Sequence, residues 1–241
     1  MKIDVILTAA EVSHDRIERK SVAVIDVFRA TSVIITALNN GAERVIPVVS
    51  VDDAFSLRDR IVNQGIDVVL GGERKSIILS GFDKGNSPLS YTREDVQDKT
   101  IVLTTSNGTR ALYSARGAEA VYVAALLNYK AVAAQLVADG RDVVVICSGR
   151  DNRYTVEDTL CAGAIINHMR TLAKCSLSDV AWSCEDLYKR YADDLYTPLV
   201  AGCAHYRRLI TLGLEADIDH CMQCAVTDIV PFLDDELNVL K

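Results

Sequence analysis

Short runs rich in Val and Ile recur along the chain at Ser21–Val27, Arg44–Val49, Asp67–Leu70, Thr100–Thr104, Ala120–Ala124 and Asp142–Cys147. A strand wetted on one face alternates apolar with polar residues, whereas these runs are apolar on both faces. They predict a mainly parallel sheet with helices on both faces. Met1–Leu7 predicts a further strand at the start. Helical stretches lie between the runs, at Thr31–Asn40, Val51–Gln64, Gly108–Ala115 and Tyr129–Asp139. Alternation of short strands with helices defines the α/β class. Past Ser148 the pattern turns mainly helical, at Thr155–Ala173, Asp179–Arg190 and Tyr206–Leu212. No Pro/Gly/Ser linker interrupts it. Residues 1–241 therefore read as a single unit, with two α/β lobes parted near 125–130 as the alternative. The acidic stretch Asp234-Asp235-Glu236 reads as a solvated end.

Ile25–Val48 and Leu103–Ala124 share an order: strand, polar loop, helix, Gly-Ala-Glu, strand. Gly41 and Gly117 suit the left-handed position that closes a helix. Any two βαβ units look somewhat alike, so duplication is the lesser reading.

Composition narrows the classes. Of 241 residues 49% are hydrophobic, which makes the chain globular. The formal net charge of −7 argues against nucleic acid as a partner, although a local basic pocket can still hold a small anion. No apolar run reaches a membrane span, and the first residues do not read as a signal peptide. Seven cysteines, mostly inside apolar patterns, suit reduced thiols in a cytoplasmic protein.

In α/β sheets ligands bind at the carboxyl ends of strands. Four loops follow strands here: Asp26–Ser32, Gly71–Pro88, Thr104–Thr109 and Cys147–Asp151. If all strands run parallel, these loops share one edge. The run Asp83-Lys84-Gly85-Asn86-Ser87-Pro88, following Gly71-Gly72-Glu73-Arg74, is the densest. Its glycines would admit a ligand close to the backbone, its carboxylates suit a hard cation such as Mg²⁺, and its basic residues match phosphate or sulfonate oxygens. Asp26 ends a strand, where it can hold metal, attack phosphorus or cap the next helix. Arg29 sits at that helix start, where the dipole does not favour a cation, so an anion or Asp26 is its expected partner. The hydroxyl- and amide-rich turn Thr104–Thr109 opens a helix and predicts anion binding through Thr105, Ser106, Asn107 and Gly108. Glu157-Asp158 opens another helix and offers a metal ligand, and the small residues at 162–164 predict close packing.

Two further patterns compete. Cys147 and Arg153 have the spacing of cysteine phosphatases, but Ile146 and Tyr154 replace the His and the hydroxyl that class uses. Cys221 and Cys224 form a Cys-x-x-Cys, with His220 beside them and Cys203 and His205 upstream. The second pair does not match a common zinc spacing, so two buried thiols on a helix are the simpler expectation. GxxxxGK[ST] and GxGxxG are both absent, so no nucleotide cofactor is indicated.

Taken in order, Val24–Thr31, Gly71–Arg74, Gly81–Pro88, Thr104–Thr109 and Glu157-Asp158 with Cys161-Ala162-Gly163 resemble the 2-phosphosulfolactate phosphatases (ComB-like), Mg²⁺-dependent acid phosphatases. Phe28 and Ser106 depart from that family's usual Leu and Thr. The resemblance covers nearly the full length and leaves out the Cys-x-x-Cys. It implies hydrolysis of 2-phospho-3-sulfolactate to 3-sulfolactate and phosphate, a step of coenzyme M biosynthesis. Mg²⁺ is the implied cofactor and a phosphorylated sulfonate the implied partner, with no nucleic acid, no membrane, and a homo-oligomer as one admissible assembly. The expected catalytic set is Asp26, Arg29, Glu73 and Arg74. Thr31, Lys84, Asn86, Thr105, Ser106, Asn107 and Gly108 are expected to bind substrate, and Asp26, Asp83 and Asp158 to bind metal. A metal-activated water is the preferred nucleophile over an aspartyl phosphate on Asp26, because the loop lacks a second Asp two residues on. A cysteine phosphatase built on Cys147 and Arg153, or a binder of sulfonated or phosphorylated acids without catalysis, are the alternatives.

Overall fold

The computed structural model describes residues 1–236 and 238–241. Its strands are β1 (Lys2–Ile6), β2 (Ser21–Ile25), β3 (Arg44–Pro47), β4 (Val68–Arg74), β5 (Ile77–Ile78), β6 (Thr100–Thr104), β7 (Ala120–Ala124), β8 (Val143–Cys147), β9 (Ser176–Leu177), β10 (Phe232–Leu233) and β11 (Val239–Leu240). The helices are α1 (His14–Ile17), α2 (Ala30–Asn39), α3 (Val51–Val62), α4 (Arg93–Val96), α5 (Gly108–Ser114), α6 (Tyr129–Ala138), α7 (Val156–Leu172), α8 (Asp179–Tyr191), α9 (Tyr196–Gly202), α10 (Ala204–Thr211) and α11 (Glu215–Cys221).

The sheet order is β5-β4-β6-β3-β11-β10-β7-β2-β8-β1-β9. One parallel block contains β7, β2, β8, β1 and β9. The other contains β3, β6 and β4, with β5 folded back antiparallel. The C-terminal hairpin joins them: β10 pairs antiparallel with β7, and β11 antiparallel with β3. Each step from β3 through β11 and β10 to β7 reverses direction, so the two blocks run in opposite senses. The expectation of one common carboxyl edge therefore holds only within each block.

The sequence repeat is the crossover between blocks. Helix α2 carries the chain from β2 to β3, and α5 carries it back from β6 to β7. Gly41 (φ 99°) and Gly117 (φ 89°) follow these helices in the left-handed region, as their positions in the sequence predict. Because β2 pairs with both β7 and β8, the sheet does not part near 125–130.

Both faces are buried, which accounts for the unbroken apolar runs. In β2, Ala23 and Ile25 enter one core cluster and Val22 and Val24 another. In β8, Val143, Val145 and Cys147 join the first, and Val144 and Ile146 the second. A third cluster packs Ala54 and Ile61 of α3 on Leu70 and Val102. The tight crossing expected at 162–164 is present: a Cβ on Gly163 would lie 2.2 Å from the carbonyl oxygen of Cys184 in α8.

The sequence reading stops β4 at Leu70, whereas the strand runs on to Arg74. Its glycines serve protein packing and not ligand approach. A Cβ on Gly71 would meet Tyr91 Oη at 2.1 Å, and one on Gly72 the Thr104 carbonyl at 2.7 Å. The tail is likewise more than a solvated end. Asp235 and Glu236 are exposed, but Asp234 accepts the Asn238 N–H at 2.7 Å and Val239 is fully buried.

Candidate active site

Carboxyl ends from both blocks open into one cavity of about 320 Å³. The β2–α2 loop supplies Asp26, Phe28 and Arg29, and the β4–β5 hairpin supplies Glu73, Lys75 and Ser76. Thr105, Ser106 and Asn107 come from the β6–α5 loop, and Arg150 and Asp151 follow β8. Asn86, His205 and Arg208 complete the lining. The crossover helices begin side by side, which is how opposed blocks share a site. A Cβ on Gly108 would lie 2.3 Å from Ala30 Cβ and 2.6 Å from Asp26 Oδ2.

The two loops that open these helices are pinned alike. The Asp26 N–H donates to Thr31 Oγ1 at 2.9 Å, and that hydroxyl donates back to the Asp26 carbonyl at 2.9 Å. The Thr109 N–H donates to Thr105 Oγ1 at 3.1 Å, and the Thr109 hydroxyl to the Thr105 carbonyl at 3.0 Å. Thr31 is thus a fully buried loop fastener and does not face the cavity.

Asp26 points into the site with one oxygen accepting the Ala30 N–H at 3.3 Å, so it also caps α2. Burial pushes its carboxyl up to about 6; Glu73 and Glu157 add to this, while His205 and the Ala30 N–H oppose it. Glu73 clamps two loops, accepting the Ser106 N–H at 2.7 Å and the Ser76 N–H at 2.6 Å. That Ser106 amide is therefore not free for an anion. Arg29 is buried and ion-paired with Asp217, whose other oxygen accepts the Ser87 hydroxyl at 2.6 Å. The partner expected for Arg29 was an anion or Asp26; its side chain bonds Asp217, and the residue still lines the cavity.

Several expected site residues lie elsewhere. Residues 83–84 run alongside β4, with the Lys84 N–H on the Leu70 carbonyl and the Gly72 N–H on the Lys84 carbonyl, both at 3.0 Å. Asp83 accepts the Leu70 N–H at 2.8 Å, and Lys84 pairs with Asp95 at 2.9 Å. Arg74 holds the Glu73 carbonyl at 2.7 Å and Thr104 Oγ1 at 3.1 Å. None of the three lines the cavity; of that run only Asn86 does, and its Oδ1 is buried with no partner among the described residues. Asp158 is 2% exposed and saturated by the Val27 N–H at 2.9 Å, the Ser148 hydroxyl at 3.1 Å and the Gly149 N–H at 3.2 Å. Burial, then Glu157 and Asp26, push its carboxyl well up. It braces the loops after β2 and β8 and is placed as a support, not as a metal ligand.

Glu157 plays a different part. Its Oε1 lies 2.9 Å from His205 Nδ1, and its Oε2 accepts the Cys203 thiol at 3.0 Å. Burial favours its neutral form, yet the hydrogen bond and charge of His205, with the Cys203 contact, hold it below the usual carboxylate range. The His205 ring meets Phe28 edge-on at 5.9 Å. Arg208, Lys75, Arg150, Asp151 and Asp217 had no assigned site role in the sequence, and His205 figured only in the zinc pattern. Lys75, Arg150 and Asp151 carried one signal, their place in a strand-end loop.

The thiol alternatives fail on burial and separation. Cys147 is 1% exposed within the core, its thiol pushed far up chiefly by burial, and it is absent from the lining. Arg153 borders a neighbouring cavity. Cys203 and His205 attend Glu157, while Cys221 is buried and Cys224 exposed beyond α11, so the pair is not two buried thiols on a helix. All seven cysteines are free.

Among the described residues no three His, Cys, Asp or Glu side chains gather closely enough to ligate a metal. Asp26, Glu73 and the unpaired Asn86 oxygen do share the cavity. Mg²⁺ typically takes one or two carboxylates and leaves its other positions to water and phosphate, so this oxygen set fits it. Asp83 and Asp158 do not belong to it.

An α/β fold whose strand ends surround a small cavity with Arg29, Arg150, Arg208, Lys75 and a carboxyl near 6 is built for chemistry on a small polyanion. The chain belongs to the 2-phosphosulpholactate phosphatase family, whose model matches residues 6–236. It is 40% identical over 231 residues, 96% of each chain, to a probable 2-phosphosulfolactate phosphatase of Clostridium novyi (strain NT). Proteins of the same description from Clostridium beijerinckii and Clostridium acetobutylicum are 40% and 39% identical over 232 residues, covering 96% of this chain. Among the described residues no helix is long and apolar enough to cross a membrane.

Proposed function

We propose that the protein hydrolyses the phosphate ester of 2-phospho-3-sulfolactate, giving 3-sulfolactate and phosphate. The observation that carries this reading is the convergence of Arg29, Arg150, Arg208 and Lys75 on a cavity whose carboxylate, Asp26, has its ionisation shifted towards neutrality. A substrate with phosphate, sulfonate and carboxylate needs several cations in a small volume, and bidentate Arg is the best match to such oxygens. Arg29 is held by Asp217, so its guanidinium is oriented before substrate arrives. Ser106 and Asn107 add a hydroxyl and an amide from the start of α5.

Asp26, which lines the cavity, accepts a proton from the attacking water. Mg²⁺, held by Asp26, Glu73 and Asn86, would neutralise charge on the phosphoryl oxygens. The same reading places the protein in the cytoplasm and its reaction in coenzyme M biosynthesis.

The test is phosphate release from racemic 2-phosphosulfolactate by purified protein, with Mg²⁺ and with excess chelator. Mg²⁺-dependent release is expected. Release that persists in chelator would remove the metal from the mechanism, and release in neither condition would remove the activity.

A further inference from the structure

We propose that His205, positioned by Glu157, is the acid that protonates the departing alcohol oxygen. The inference rests on the phosphatase reading and assigns a step which that reading leaves open. The leaving group is the alkoxide of a secondary alcohol, too basic to depart without a proton. The cavity must therefore present a proton donor as well as cations. Arginines there cannot give up a proton at working pH. His205 is the one histidine among the described lining residues.

Its surroundings are those of a directed imidazole. Nδ1 is occupied by Glu157 at 2.9 Å, while Nε2 has no protein partner among the described residues. Glu157 cannot turn away, because it is 1% exposed and its second oxygen holds Cys203. The Phe28 edge fixes the ring plane. His205 also lines a second cavity of about 270 Å³, with Arg150 and Arg153. It thus stands between the chamber that holds Asp26 and one with room for the rest of the substrate. The ester oxygen joins these two parts of the substrate.

In the step, the phosphorus–oxygen ester bond breaks and its electron pair stays on the C2 oxygen. That oxygen takes the proton from His205 Nε2. The new phosphorus–oxygen bond comes from water, whose proton passes to Asp26. Solvent then returns a proton to His205 and takes one from Asp26, so the cycle closes without another reactant.

The test compares 2-phosphosulfolactate with its analogue carrying sulfur as the bridging atom. A thiolate departs without a proton, while every other group on the substrate is kept. His205→Gln should lose about 100-fold or more in kcat on the oxygen ester and less than about 5-fold on the sulfur ester. Glu157→Gln, acting through His205, should show the same split at smaller size. His205→Asn serves if the Gln variant does not fold. Equal losses on both substrates, or no loss on either, would overturn the proposal and leave the phosphatase reading standing. If the unaltered protein releases phosphate from neither substrate, the phosphatase reading itself falls and this inference falls with it.

Discussion

Asp26 shows how a single side chain is held in a state the fold disfavours. It is 6% exposed and faces Glu73 and Glu157, so burial and like charge resist its ionisation. Its carboxyl titrates near 6 when folded, against an ordinary value of 3.8. Between those values the folded protein keeps a proton that the unfolded chain has lost. Stability therefore falls as pH rises through that window, by on the order of 3 kcal/mol once the pH is well above 6. Asp26→Asn removes this penalty together with the base. Without substrate or metal, the variant should melt roughly 5–10 °C above the unaltered protein at pH 7.5. The gain should fade towards pH 4, and turnover should be abolished. Thermal unfolding at both pH values checks the sign; an Asn variant no more stable at pH 7.5 would remove the buried-carboxylate account.

At the scale of elements, the strands of four or more residues and the helices of more than seven were legible, because their apolar patterns report burial directly. The expected runs coincide with β6 and β7 residue for residue, and with α2 to within one residue. The two-residue strands β5, β9, β10 and β11 were not legible, since so short a run has no periodicity to read. Glycines were read for ligand approach in β4 and for anion binding at Gly108, whereas both pack against protein atoms. In both places the neighbour that excludes a side chain is distant in sequence. At Gly108 that neighbour is α2, so Gly108→Ala should push the two helix starts apart. The expected cost is about 1–3 kcal/mol of stability, typical of overpacking, with a larger proportional loss of activity than of folded protein. Chemical denaturation read beside phosphate release separates the two. An Ala variant with unchanged stability and rate would mean that α2 and α5 can part freely.

At the scale of the molecule, the site was legible where residues follow long strands and illegible where other segments fold over them. Asp26, Arg29 and Thr105–Asn107 follow strand ends, Glu73 lies near the end of β4, and all line the cavity. His205 and Arg208 come from α10, and nothing local in the sequence points α10 at the site. The opposed senses of the blocks were equally hidden, because they depend on the hairpin of Phe232–Leu233 and Val239–Leu240. That hairpin pairs with β3 on one side and β7 on the other, and the Val123 N–H also donates to the Pro231 carbonyl at 2.8 Å. Ending the chain after Val230 would expose two apolar strand edges at the centre of the sheet, the situation that promotes edge-to-edge association. The shortened protein should aggregate or lose its single cooperative melting transition, as read by size-exclusion chromatography and calorimetry. If it instead stays monodisperse and melts like the full chain, the crossover helices α2 and α5 alone hold the blocks in register. The hairpin would then be a cover for the joint and not its fastening.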